Sequence, residues 1–407
     1  MKIVRFMMMS LCLLVGAAQL PGQQVELVGV AEISGHELDK SGLTEELGEG
    51  LTNNMLGGIS ALEYLGRDNL FIALPDRGPL DGAVQWQCRF NILEINIPTG
   101  SNGGPIRFQI EKTVLMSDEQ NRPFTGAASQ YYPSEALAGR LDPEAVRVSN
   151  DGTLYMSDEY GPHLLEVNMD GSMVRRLNVP ARYLIKNPGL DKADENGKNC
   201  WGRSCNRGME CLSLSTDKSK LYGLMQSPLL QDSMRNQEGK PLGLNCRLIE
   251  FDLASGTNRE FLYRLDHTSN KLNEILAINE HEFLVIERDG TVGEEAVCKH
   301  IKKISLQGAS EIQGHTKLPP CKVPRCVQPV KKETFIDLLD PKFGLTGAGM
   351  PEKIESLTFG PDLADGRKTL LVVSDNDFVK ENPTMIYVFA FHLDEPQSPA
   401  ITQNSGR

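Results

Sequence analysis

Beyond its first two dozen residues the chain alternates apolar and polar positions in short runs that are cut by Gly, Pro, Asn and Asp. A period of two predicts strands. The fullest run reads DPEAVRVS (142–149), a turn at Asn150-Asp151-Gly152, TLYMSDEYGP (153–162), HLLEVNM (163–169), and, after Asp170-Gly171, MVRRLNV (173–179). That is a four-stranded meander. The same order opens four more times, as GGISALEY…LFIALPDRG (57–78), GMECLSLS…LYGLMQS (208–227), LNEILAIN…FLVIERDG (272–290) and KIESLTFG…LLVVSDND (353–377). Third strands follow in FNILEINI, RLIEFDL, IKKISL and MIYVFAF.

Ser60, Glu144, Glu210, Glu274 and Glu355 hold equivalent places in the five copies. Apolar residues alternate with polar ones in steps of two and Gly and Pro recur between the runs, so a long helix is hard to place and the class is all-β. One meander is too small to enclose a core, so neighbouring sheets must pack face to face, and a closed ring also protects their edges. The chain is therefore expected to be a β-propeller of four-stranded blades, spanning 25–393 with a polar tail at 394–407. Five blades are visible, and a sixth has room in 114–142 or 180–207. The last copy lacks a strand while VELVGVAEIS (25–34) stands alone before the first, so the two are expected to complete one blade and close the ring. The segment 307–332 reads as an excursion.

Composition narrows the partners. Of 407 residues, 42 are Lys or Arg and 54 Asp or Glu, a net charge of −12 with no basic stripe. Nucleic acid and insertion into a membrane are not expected. Residues 1–18 place Lys2 and Arg5 before an apolar run that is too short to span a bilayer and ends in small residues, the layout of a cleavable export signal. Leu11 before Cys12 does not suit a lipoprotein site. The product is expected to be a secreted or periplasmic monomer. Past the signal the cysteines number eight, which suits an oxidising compartment, with Cys200–Cys205 and Cys321–Cys326 the simplest disulfide pairs. A zinc site at Cys200, Cys205 and Cys211 lacks a CxxC and a nearby His.

In a hairpin the start of one strand and the end of the next lie at one rim. The expected pairs are Ser60 with Asp76, Glu144 with Asp158, Glu210 with Gln226, Glu274 with Glu287, and Glu355 with Asp375. All but Ser60 and Gln226 are acidic. Unpaired carboxylates converging on one channel mouth repel one another, so a cation is expected among them, and a carboxylate-rich set with Asn376 nearby suits Ca²⁺. Strand-end acids that merely accept turn hydrogen bonds are the plainer alternative. Arg77, Arg207 and Arg288 lie close to the acids, placed either to hold a phosphate or to pair with their neighbours. No nucleophile elbow, HExxH, Walker loop or dinucleotide fingerprint occurs, and of the scattered histidines only His163 lies at the rim.

At SDEYGP (157–162), LVVSDNDF (371–378) and GGISALEY…LPDRG the chain resembles the phytase-like family of secreted bacterial proteins, described as carrying the esterase-like activity of phytase. The similarity runs from about Gly57 to Phe391. The resemblance implies a propeller with a phosphoesterase site at Glu144, Asp158, Glu159, Glu210, Glu287, Glu355, Asp375 and Asp377. Joined to the rim argument, which adds Asp76 and Glu274, this gives a calcium-dependent phosphoric-ester hydrolase for a small-molecule substrate. Asp158 or Glu159 is expected to act as base, Arg77, Arg207 and Arg288 to clamp phosphate, and Tyr160 to orient the leaving group. A lactone or carboxyl-ester hydrolase, and a noncatalytic calcium-binding propeller of the envelope, are the alternatives.

Overall fold

The alternating runs fold into five antiparallel four-stranded sheets, each a blade, in a computed structural model that describes residues 25–98, 104–127, 139–189 and 192–393. The expected export signal and C-terminal tail lie outside these residues. Blade 1 comprises Ala61–Tyr64, Leu70–Leu74, Arg89–Asn96 and Arg107–Leu115; blade 2 comprises Pro143–Val148, Leu154–Asp158, His163–Val167 and Met173–Leu177. Blade 3 comprises Cys211–Leu214, Lys220–Leu224, Asn245–Asp252 and Asn258–Arg264; blade 4 comprises Lys271–Ala277, Glu282–Arg288, Lys299–Ser305 and Lys331–Asp337. Blade 5 takes Ile354–Phe359, Lys368–Ser374 and Thr384–Phe391, and Glu26–Ile33 pairs antiparallel with the last of these as its outermost strand. The N-terminal strand closes the ring, as expected. The first strand of each blade adjoins the first strands of its two neighbours in a closed cycle, so these five strands surround the axis.

Both faces of every blade are buried, which explains why the second strands read as nearly continuous apolar runs. In blade 5, Leu370 and Val372 pack on blade 4 with Leu284 and Ile286, while Leu371 and Val373 pack on blade 1 with Phe71 and Leu93. Equivalent cores join blades 1 and 2, 2 and 3, and 3 and 4. Each core belongs to an interface rather than to a blade. Among the described residues no sixth blade forms. The two segments considered for it hold isolated bridges and the short helix Lys192–Lys198.

The cysteines depart from expectation. Cys88 through Cys326 are all free thiols, so neither local pair is bridged, and Cys211 lies in the core between blades 3 and 4. Among the described residues no helix is long and apolar enough to cross a membrane.

Candidate active site at the channel mouth

The site is built on a repeated irregularity. In blade 2, Pro143 pairs with Asp158 and Ala145 with Ser157; in blade 4, Leu272 with Glu287 and Glu274 with Ile286; in blade 5, Ile354 with Ser374 and Ser356 with Val373. One residue is left over each time: Glu144, Asn273 and Glu355. A bulge leaves its extra residue out of the ladder and re-aims it, here into the mouth. Glu210 of blade 3 occupies the same place, just before Cys211 pairs with Leu224, and meets the side chain of Gln226.

The extra residue also moves the facing position on the second strand by one. The backbone N–H groups of Glu159, Gln226 and Asp375 donate to Asp142, Gly208 and Lys353, and Arg288 faces Lys271, so these four are the mouth residues. Two expected pairs are therefore replaced. Asp158 turns inward, where its carboxylate accepts from the N–H groups of Asp142 (3.0 Å), Gly161 (3.0 Å) and Tyr160 (3.3 Å) and closes the turn. Glu274 lies within the ring against Arg147 at 2.7 Å, and accepts from the N–H of Ile275. Glu287 faces blade 3, and Tyr263 Oη of that blade, Asn270 Nδ2 of the connection to blade 4 and Lys332 Nζ of blade 4 all donate to it. The structure does not bring Glu274 or Glu287 to the mouth acids, and Asp158 lies beside Asp142 with its carboxylate engaged by backbone N–H groups.

The remaining acids gather in two trios. Carboxylate oxygens of Asp76, Asp375 and Asp377 lie within 4.8 Å of one another, as do those of Asp142, Glu144 and Glu159. Glu210 and Glu355 link the trios: Glu210 repels both Glu144 and Glu355, and Glu355 in turn repels Asp375. Burial first, and then these neighbours, hold Asp76, Glu144 and Glu210 far above the ordinary carboxylate range. Burial raises Asp375 to about 6 against the pull of Lys353, and burial followed by Asp142 raises Glu159 to about 7. Four buried oxygens here have no hydrogen-bond partner: Ser60 Oγ, Glu159 Oε2, Gln226 Oε1 and Asn273 Oδ1. Unpartnered buried acceptors beside crowded carboxylates fit a hard cation.

The cations divide into bound and available. Arg77 is held by Asp142 and Asp81, Arg288 by Glu355 at 2.6 Å, and Lys353 by Asp375 at 3.2 Å and Asp377 at 2.8 Å. The Arg207 guanidinium has, among the described residues, one hydrogen-bond partner, Ser227 Oγ at 3.4 Å. The Lys271 ammonium makes no hydrogen bond or ion pair among the described residues, and burial, then Arg288 and Arg207, lower it to about 8. Tyr160 is not poised for a leaving group. Its hydroxyl donates to Gly126 O at 3.1 Å, and its ring is covered by Arg140 at 3.8 Å. His163 is half-buried, and desolvation of its ring, then Arg176 and Arg203, lower it to about 3, so it stays neutral.

Sequence reasoning missed Asp142, Lys271, Asn273 and Lys353. Asp142 precedes a proline and reads as a turn residue, and the two lysines read as solvated strand starts. Asn273 could have been found only by allowing the slip that a bulge introduces.

The family model described as esterase-like activity of phytase matches residues 54–378. A relative from Arthroderma benhamiae, described as an uncharacterized secreted protein, is 23% identical over 412 residues, which cover 78% of this chain and 80% of the relative. That source is a fungus, so the expectation of a bacterial family is not upheld. Among solved structures, the major Malassezia sympodialis allergen Mala s 1 aligns with a TM-score of 0.37 and 11% identity over 84% of this chain and 81% of the allergen. The aldose sugar dehydrogenase of Streptomyces coelicolor aligns with a TM-score of 0.34 and 12% identity over 88% of this chain and 84% of the enzyme. Such distant likenesses say nothing about chemistry.

Proposed function

Because the chain belongs to the phytase-like family, we propose that it is an exported phosphoric-ester hydrolase that works with a divalent cation, Ca²⁺ by the hardness of its ligands, at the channel mouth. One observation carries the reading: two carboxylate trios and four unpartnered buried oxygens stand beside two cations that have no carboxylate of their own. The secreted relative and the export signal at residues 1–18 support the location.

Asp76, Asp375 and Asp377, and Asp142 and Glu144 beside Glu159, are the residues that would hold the ion, with Glu210 and Glu355 in electrostatic contact with both groups. When bound it supplies charge neutralisation for the phosphoryl oxygens and acidifies water. Arg207, Lys271 and the Arg288 guanidinium receive the phosphoryl oxygens that face away from the acids. Glu159 serves as the base: Gly208 N–H holds Oε1 at 3.0 Å, while Oε2, 3.5 Å from Arg77, accepts no hydrogen bond and can take a proton from the attacking water. Arg77 keeps Asp142 in place and is not part of the clamp.

The lactone alternative has no use for unpaired cations, and a purely structural calcium site has no use for a poised base. The test is release of phosphate or alcohol from a panel of mono- and diesters by the purified protein, with carboxyl esters and lactones alongside. We expect Ca²⁺-stimulated turnover of phosphoesters that Arg207→Ala with Arg288→Ala removes. Turnover of lactones alone, or Ca²⁺ binding that raises Tm without turnover of anything, counts against it.

A further inference from the structure

A cavity of about 420 Å³ opens beside the first carboxylate trio and shares Asp377 with it. Its walls are Leu51, Leu80, Phe378 and Val379 with the acids Glu49, Asp81 and Asp377, and among the described residues no lysine or arginine lines it. Leu80 and Val379 are exposed, so the apolar wall is open to a ligand.

The backbone around this cavity is unusual. Leu80 and Asp81 are consecutive left-handed residues with φ of 55° and 59°, and Asp377 and Phe378 repeat the arrangement at 58° and 57°. Leucine and phenylalanine seldom adopt this conformation, which costs free energy unless the surroundings enforce it. Glu49 in the same wall is left-handed too, so five of the eleven such non-glycine residues among those described border one cavity. Each pair does the same thing in space. The acid turns toward a mouth cation, Asp81 to Arg77 and Asp377 to Lys353, and the adjacent apolar residue, exposed Leu80 or buried Phe378, lines the cavity. The wall is braced from behind: the Trp86 ring meets Phe378 edge-on at 5.1 Å, and a Cβ on Gly57 would run into the Phe378 ring. Strain held in this way at one site points to a use for that site.

Resting on the phosphoesterase reading, we propose that this cavity is the alcohol subsite of the mouth and that the substrates are phosphoesters of an apolar alcohol, aryl or alkyl. Its volume suits a ring or short chain. A polyphosphorylated alcohol would set further phosphates against Glu49, Asp81 and Asp377, and the cations beside the last two, Arg77 and Lys353, are already paired with acids, so substrates of that kind are disfavoured.

The test compares 1-naphthyl phosphate with glycerol 2-phosphate on the full protein in Ca²⁺. In Leu80→Ser, and separately in Val379→Asn on the other side, the ratio of kcat/KM for the naphthyl ester to that for the glycerol ester should fall about tenfold. Melting temperature identifies a variant that is misfolded, and the other then decides. An unchanged ratio overturns the proposal. Should wild type hydrolyse neither ester, the phosphoesterase reading has failed, and calorimetric titration judges the cavity alone. There Leu80→Ser should weaken 1-naphthyl phosphate about tenfold and leave inorganic phosphate unaffected; equal effects, or no binding of the naphthyl ester, overturn it.

Discussion

A carboxylate that is buried, held through one oxygen by Gly208 N–H and left without a hydrogen bond to the other titrates near neutrality, and Glu159 does so at about 7. As the proposed base it must be ionised, so kcat/KM is expected to fall about tenfold per pH unit on the acid side of a limb at or below that value, since a bound cation can only pull it down. Glu159→Gln should cost about 10²- to 10⁴-fold in kcat and remove the limb from what remains. A limb that survives in the variant assigns the base elsewhere. Asp158, its neighbour, makes the opposite case. Three backbone N–H groups point at its carboxylate, so Asp158→Ala should destabilise by about 3 kcal/mol in urea titrations without changing Ca²⁺ affinity. These two residues differ by one position and by everything else, and nothing in SDEYGP tells which of them faces the mouth.

At the scale of the hairpin the reason is the bulge. Strand alternation was legible from HPHP runs, and so were the rim and the acids Asp76, Glu144, Glu210, Glu355 and Asp375, because each begins a first strand or ends a second. Perfect alternation then assigned Asp158 and Glu287 to the mouth, and one extra residue in the facing strand reverses that. Bulges answer to the geometry of the ring and carry no fixed composition, so Asn273 stayed hidden behind Glu274. Glu274 instead fills the ring beneath the site together with Arg147, and burial raises it to about 7 in spite of that arginine. Arg147→Met would strand Glu274, and should destabilise by about 3–5 kcal/mol; adding Glu274→Met should restore most of the loss, as read from denaturant midpoints. If the double variant is no better than the single one, the two side chains are not partners.

For the whole molecule, closure was legible because an orphan strand preceded the first repeat and the last repeat lacked one, and the interface cores followed from strands apolar on both faces. The crowding of acids has a global consequence. Asp375 at about 6 and Glu159 and Glu274 at about 7 bind protons in the folded state that the unfolded chain, near 4, has released. Between pH 5 and 7 the native state therefore holds more protons than the unfolded state, and stability must fall as pH rises. In EDTA the melting temperature is expected to be higher at pH 5 than at pH 7, and saturating Ca²⁺ should raise it more at pH 7. The reverse order in EDTA would mean that these acids are satisfied structural groups.

The most direct measurement is the initial rate of phosphate release from 1-naphthyl phosphate at pH 7 as free Ca²⁺ is varied, in the wild type and in Asp76→Asn with Asp375→Asn. The expected result is a saturable rise from a baseline near zero in EDTA, with the wild-type curve lost or moved to at least tenfold higher Ca²⁺ in the double variant. Release that is equal in EDTA and Ca²⁺, or a double variant that follows the wild-type curve, would contradict the assignment of cation and chemistry to this mouth.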